Sequence, residues 1–174
     1  GSLTRDDMCR VTPDGQVFGP HRPSVELPFH LDIYKRRSDL SAILHAHPPT
    51  MVAFSLARRI PDIRLIPDVL QVCGEVSMAA YAVPGSAELG HNIAEQFALG
   101  YNTVMLENHG CVIGAPDLFA AFMAFETLDF CGRLEIDAKK LGVPRSLTNE
   151  QIDMRKHKRH PQFDEFIPKA VSSQ

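Results

Sequence analysis

Apolar and polar positions alternate along this chain with two distinct periods, and each period predicts an element. Over residues 25–36 the spacing is helical, with Phe29 and Ile33 on one face and Leu27 and Leu31 beside it. Ala42-Ile43-Leu44 opens a short buried strand that runs into His45-Ala46-His47, and Pro48-Pro49 then break it. Residues 50–57 read as a helix with Pro49 near its start. The Pro-punctuated run 60–83 predicts loop and short strands. Ser86 suits the N-cap of a helix reaching about Leu99. Residues 103–106 read as a strand, Asn108-His109-Gly110 as a turn, and 111–113 as the strand leaving it. Pro116 begins a long helix to about Leu141, in which Leu118, Phe122, Phe125, Leu128 and Cys131 stack at helical spacing. Phe119, Met123 and Phe130 cover its other sides, which predicts a mostly buried helix. Asp14-Gly15 is a turn signal between two extended runs, and Thr148-Asn149-Glu150-Gln151 fits a capping box that starts a last helix.

The resulting order of strands and helices predicts an α/β sandwich with a mixed sheet. The chain has 174 residues, and 3–174 reads as a single domain (Gly1-Ser2 looks like a cloning remnant). A net charge of −3 offers no global basic field, so nucleic acid is not an expected partner. No apolar run is long enough for a membrane span and no signal peptide is visible, so no membrane partner is expected. Four cysteines without a CxxC pair predict reduced thiols in a cytoplasmic protein.

The candidate chemistry starts at His45-Ala46-His47. Residues two apart in a strand point to the same face, so both imidazoles can reach one cation. His109, at a tight turn after a buried strand, is displayed where a third ligand is needed. Three histidines leave an open coordination position, the pattern of catalytic zinc; imidazole also suits iron, nickel and copper. The alternative is a strand end with two partly exposed histidines. Glu26, placed in the first turn of its helix, is either an acid favoured by the helix dipole or a general acid/base beside the metal. His30, one turn on, is at most an outer partner. Ser24 reads as a cap or an anion-holding hydroxyl, and so does Ser86. Glu107 reads as a partner of His109 or as a surface acid. The basic run 155–160 reads as a solvated helix end.

Four segments then carry a resemblance: Pro23-Ser24-Val25-Glu26-Leu27-Pro28-Phe29-His30, His45-Ala46-His47-Pro48, Tyr81-Ala82-Val83-Pro84-Gly85-Ser86-Ala87-Glu88-Leu89 and Leu106-Glu107-Asn108-His109-Gly110. In order and spacing, from about Leu3 to Leu141, the chain resembles the class II aldolase/adducin family. The resemblance implies a three-layer α/β/α sandwich around a mixed, mainly antiparallel sheet. It implies that His45, His47 and His109 hold zinc or another divalent transition metal. Glu26 falls on the family's acid/base, and Ser24 on a substrate-binding residue of its phosphate loop. It also implies a homotetramer acting on a small sugar or sugar-phosphate carbonyl compound. The implied reaction is an aldolase-type lyase, breaking or forming a carbon–carbon bond through a metal-stabilised enediolate. An epimerase or dehydratase on the same site, and a non-catalytic adducin-like interaction domain, are the alternatives.

Three departures from the family pattern stand out. The family's N-terminal segment, with its phosphate loops, has no counterpart ahead of Leu3. Val25 stands where phosphate-binding members often have a second serine. The tyrosines used as proton donors are missing from the tail, since the chain's only ones are Tyr34, Tyr81 and Tyr101; Asp68 lies in the right region to replace one.

Overall fold

The structure is a computed structural model and describes residues 3–157. A small hairpin comes first: β1 (Arg10–Val11) pairs antiparallel with β2 (Val17–Phe18). Its turn closes with Gly15 N–H donating to the Thr12 carbonyl at 2.8 Å, and Gly15 has a φ of +89°, a backbone region glycine enters at little cost.

The main sheet has four strands in the order β3-β6-β5-β4: β3 (Ala42–Ala46), β4 (Val76–Ala79), β5 (Thr103–Leu106) and β6 (Gly110–Ala115). β3 and β5 both run antiparallel to β6, and β4 runs parallel to β5, so the sheet is mixed and mainly antiparallel. Every residue of β5 and β6 is buried, as expected of central strands covered on both faces.

Helices α1 (Leu27–Arg36) and α4 (Ala87–Ala98) cover one face, where Phe29, Ile33, Ile93 and Phe97 pack on Val104, Leu106 and Val112. Helices α2 (Pro49–Leu56), α3 (Pro67–Cys73) and α5 (Leu118–Leu141) cover the other, where Met51, Val69, Leu128 and Cys131 pack on Met105, Cys111 and Ile113. The architecture is a three-layer α/β/α sandwich. α6 (Asn149–His157) opens with the expected capping box: Gln151 N–H donates to Thr148 Oγ1 at 3.2 Å and Thr148 N–H to Gln151 Oε1 at 2.9 Å.

The structure corrects three expectations. Within the stretch read as loop and short strands lies α3, seven residues long with Pro67 in its first turn, burying Val69 and Cys73. The long helix starts at Leu118 rather than at Pro116, because Asp117 is the N-cap and its side chain accepts from Ala120 N–H at 2.7 Å. Nor is that helix mostly buried. Ala121, Ala124, Leu128, Cys131 and Gly132 face the core, but Leu118 is 64% exposed, Phe119 74% and Phe130 52%. A helix laid on one face of a sheet buries a stripe of its surface, and apolar residues around the rest of its circumference stay outside.

All four cysteines are free, and Cys73, Cys111 and Cys131 are buried. Burial pushes their thiols up, to about 12 for Cys73 and Cys111 and about 11 for Cys131, which leaves them protonated and unreactive at neutral pH. Among the described residues no helix is long and apolar enough to cross a membrane.

Candidate active site

Three chain segments meet at one end of the main sheet. β3 ends in His45 and Ala46, with His47 just beyond. The turn from β5 to β6 carries His109; it closes by His109 N–H donating to the Leu106 carbonyl at 3.1 Å, with Asn108 at a φ of +55°. Asparagine is among the few non-glycine residues that accept that region readily. The start of α1 brings Glu26, the N-cap rather than a first-turn residue. Its carboxylate makes no cap hydrogen bond and faces the histidines instead.

The four side chains expected from the sequence come together. Glu26, His45, His47 and His109 each offer one donor atom within 4.8 Å of all the others. Glu26 Oε2 lies 3.1 Å from His45 Nε2, and Glu26 Oε1 lies 3.1 Å from His109 Nε2. His47 Nε2 is 2.9 Å from His45 Nε2. The His45 ring stands edge-on to buried Phe29, with centroids 5.4 Å apart. His47 is the exposed member of the group, so the cluster opens to solvent on its side.

The chemistry of these atoms fits a cation. His45 Nδ1 is 2.9 Å from the Cys111 carbonyl oxygen, which only accepts, so the ring donates there and Nε2 is left with a bare lone pair. That lone pair faces a Glu26 carboxylate oxygen 3.1 Å away, two acceptors that repel one another unless a proton or a cation lies between them. Protonation is an unfavourable answer. Burial lowers the His45 pKa, the Cys111 carbonyl and Glu26 opposing in part, and burial lowers that of His109 as well. A divalent ion satisfies all four groups, and three imidazoles with a carboxylate suit zinc and its transition-metal neighbours.

The remaining candidates lie around this cluster. Ser24 Oγ accepts from Glu26 N–H at 3.2 Å, and the Ser24 carbonyl accepts from Leu27 N–H at 3.1 Å, a local turn that sets the direction in which Glu26 leaves the backbone. Ser86 caps α4, accepting from Leu89 N–H at 3.1 Å, and Gly85 packs against Val25. His30 is outside the cluster, stacked on Phe29 at 4.4 Å; burial first, then nearby His45, pushes its pKa down to about 4. Glu107 does not bond His109 but accepts from Tyr81 N–H at 3.1 Å and pairs with Arg58 at 3.3 Å. Asp68 lines a groove of about 430 Å³ between α3 and α5, away from the cluster. Lys158, Arg159 and His160 of the basic run lie outside the described residues.

The sequence reading missed the pairing of Arg58 with Glu107. Arg58, just past the end of α2, carries no periodicity or motif that signals it. It also missed the space requirement at Gly110, where an added Cβ would lie 2.5 Å from the Ala46 carbonyl oxygen and 2.8 Å from His47 Cδ2. The signal was the glycine itself, directly after His109.

Known proteins match in sequence and in fold. Residues 1–136 match the family described as Class II Aldolase and Adducin N-terminal domain. The chain is 29% identical over 150 residues to the 5-deoxy-D-ribulose 1-phosphate aldolase of Bacillus thuringiensis, covering 85% of this chain and 69% of that protein. It is 31% identical over 138 residues to the 3-oxo-tetronate 4-phosphate decarboxylase of Pectobacterium atrosepticum, covering 77% of this chain and 63% of that one. Among solved structures, an L-fuculose 1-phosphate aldolase superposes with a TM-score of 0.75 at 30% identity, covering 93% of this chain and 74% of the other. The chain belongs to the class II aldolase and adducin N-terminal domain family.

Proposed function

We propose that this chain is a metal-dependent lyase that breaks or forms the carbon–carbon bond between the α and β carbons of a small carbonyl-containing sugar or sugar phosphate. The observation that carries the reading is the convergence of Glu26, His45, His47 and His109 on one point at the solvent-facing end of the sheet. His45, His47 and His109 hold a divalent cation, with zinc first in order of expectation. When bound, the cation supplies Lewis acidity for the negative charge that builds on the carbonyl oxygen as the bond breaks.

The protein's own groups do the rest. His45 is fixed in one tautomer by the Cys111 carbonyl, which keeps its Nε2 aimed into the cluster. Glu26 takes and returns the proton, its carboxylate aimed by the Ser24 turn. The Ser24 hydroxyl, on the same turn, contacts the substrate. In a retro-aldol cleavage the proton leaves the hydroxyl of the carbon two away from the carbonyl carbon, and the bonding electrons move toward the carbonyl. A decarboxylation next to a carbonyl builds the same charge, and the likeness to a decarboxylase makes it the second reading. Epimerase and dehydratase readings use the same groups and rank behind these two.

The protein works as a homo-oligomer, a tetramer by family likeness. What supports association is the uncovered apolar surface of α5, where Leu118, Phe119, Phe122 and Phe130 are exposed.

The reaction is tested by offering the metal-loaded protein ketose 1-phosphates, unphosphorylated ketoses and 3-oxo acid phosphates. The products are followed by mass spectrometry. An aldehyde and a three-carbon ketone, or carbon dioxide, supports the lyase reading; turnover that only inverts a stereocentre or only releases water overturns it.

A further inference from the structure

The imidazoles of the centre are not held alike. His45 has a partner on its far nitrogen, the Cys111 carbonyl. The far nitrogen of His109, Nδ1, is buried and has no hydrogen-bond partner among the described residues. A ligand imidazole is ordinarily steered by such a partner. Without one, the aim of His109 depends on its backbone turn and on whatever holds that turn in place.

Glu107 holds it. Its N–H donates to the Ala79 carbonyl at 3.1 Å, at the end of β4. Its carboxylate accepts from Tyr81 N–H at 3.1 Å through Oε2, and Oε1 lies 3.3 Å from Arg58 Nε. Arg58 is itself unusual. It follows α2 with a φ of +49°, in a helix end where Arg58 N–H donates to the Ser55 carbonyl at 3.1 Å and Arg59 N–H to the Phe54 carbonyl at 3.0 Å. That position commonly takes glycine, which has no Cβ to crowd the left-handed backbone. Glycine there would close the helix with less strain but would bring nothing to Glu107.

We propose that Arg58 and Glu107 are positioning residues for the metal centre: together they clamp the turn that aims His109, and so set the affinity of the centre for a divalent cation. The proposal rests on the reading that Glu26, His45, His47 and His109 hold a metal. The competing explanation is an ordinary surface ion pair, since Arg58 is 59% exposed, and such a pair contributes little to anything.

The test is Co²⁺ binding to the metal-stripped full chain, with affinity read by chelator competition and ligand geometry by the visible absorption of Co²⁺. Arg58→Gly relaxes the backbone while removing the guanidinium, so stability and affinity separate: the melting temperature of the metal-free variant is unchanged or higher, yet Co²⁺ binds about 10-fold more weakly, the low end for loss of an outer partner. Glu107→Gln keeps an oxygen for Tyr81 N–H and loses the charge facing Arg58, so it weakens binding in the same direction with an altered spectrum. Arg58→Lys, which restores a cation, recovers part of the loss. Arg58→Gly and Glu107→Gln both binding within about twofold of the parent, with its spectrum, would overturn the proposal; that is far less than an outer partner's loss costs. A parent chain that takes up no Co²⁺ removes the metal-centre reading and this proposal with it, whereas a parent that binds and variants that bind equally remove this proposal alone.

Discussion

His45 and Cys111 sit on neighbouring strands, and the ring Nδ1 of His45 lies 2.9 Å from the Cys111 carbonyl oxygen. A main-chain atom of the sheet thus decides which ring nitrogen of His45 faces the cluster. Because burial lowers the pKa of both His45 and His109, these rings stay neutral to lower pH than free imidazole, and protons compete weakly with a metal for them. Loss of Co²⁺ affinity with falling pH is therefore expected to set in only below about pH 7. A steep loss beginning above pH 7 would contradict this.

Gly110→Ala should damage the same centre sterically. The new Cβ meets the Ala46 carbonyl and the His47 ring, and the main-chain oxygen has no room to give. The expected result is a loss of roughly 1–3 kcal/mol in a denaturant titration, as for overpacking elsewhere, together with reduced metal content.

His30 gives a pH signature of its own. Its folded-state pKa of about 4 is below the ordinary 6.5, so the unfolded chain binds a proton more readily. A depressed histidine stabilises the fold above 6.5, and that contribution is lost as pH falls from 6.5 to about 4. Urea midpoints of the metal-free protein should drop across that window. His30→Phe, which keeps a ring to stack on Phe29, should drop less, by roughly 1–3 kcal/mol at the acid end.

Arg37 anchors the far end of α1. Its guanidinium grips both oxygens of Asp39 and donates to the Phe97 carbonyl at 3.1 Å and to Asn102 Oδ1 at 2.7 Å. The side chain is 15% exposed, so Arg37→Ala leaves half-buried acceptors unpaired and should cost roughly 2–4 kcal/mol while leaving metal content unchanged. Loss of metal in this variant would show that the two ends of the sheet are coupled.

The α5 surface tests the proposed assembly. Phe119→Glu combined with Phe122→Glu places charge on positions that are exposed in the single chain. Sedimentation should show a smaller species than the parent; an unchanged mass would remove this face as an interface.

Much of the site was legible because its parts obey short-range rules. His45 and His47 share a face through the two-residue period of a strand, and His109 follows a buried strand at a turn marked by Asn108 and Gly110. What joins them was legible only through family resemblance, since nothing local says that Glu26 turns from its own helix toward residues far along the chain. The Arg58–Glu107 contact was invisible for the same reason. Helix α3 was hidden by its length: seven residues allow only Val69 and Cys73 to mark a buried stripe, and Pro67, read as a break, is its first-turn residue. The exposure of Phe119 and Phe130 was misread because composition gives a helix's apolar content but not how much of its circumference is covered.

The central claim is that Glu26, His45, His47 and His109 form a metal centre. Elemental analysis of the protein purified without added metal tests it directly, with His45→Ala, His47→Ala and His109→Ala alongside. The account predicts about one divalent transition metal per chain in the parent, zinc first, and its loss in each variant. A folded parent that carries no metal and takes up none when zinc is offered would contradict it.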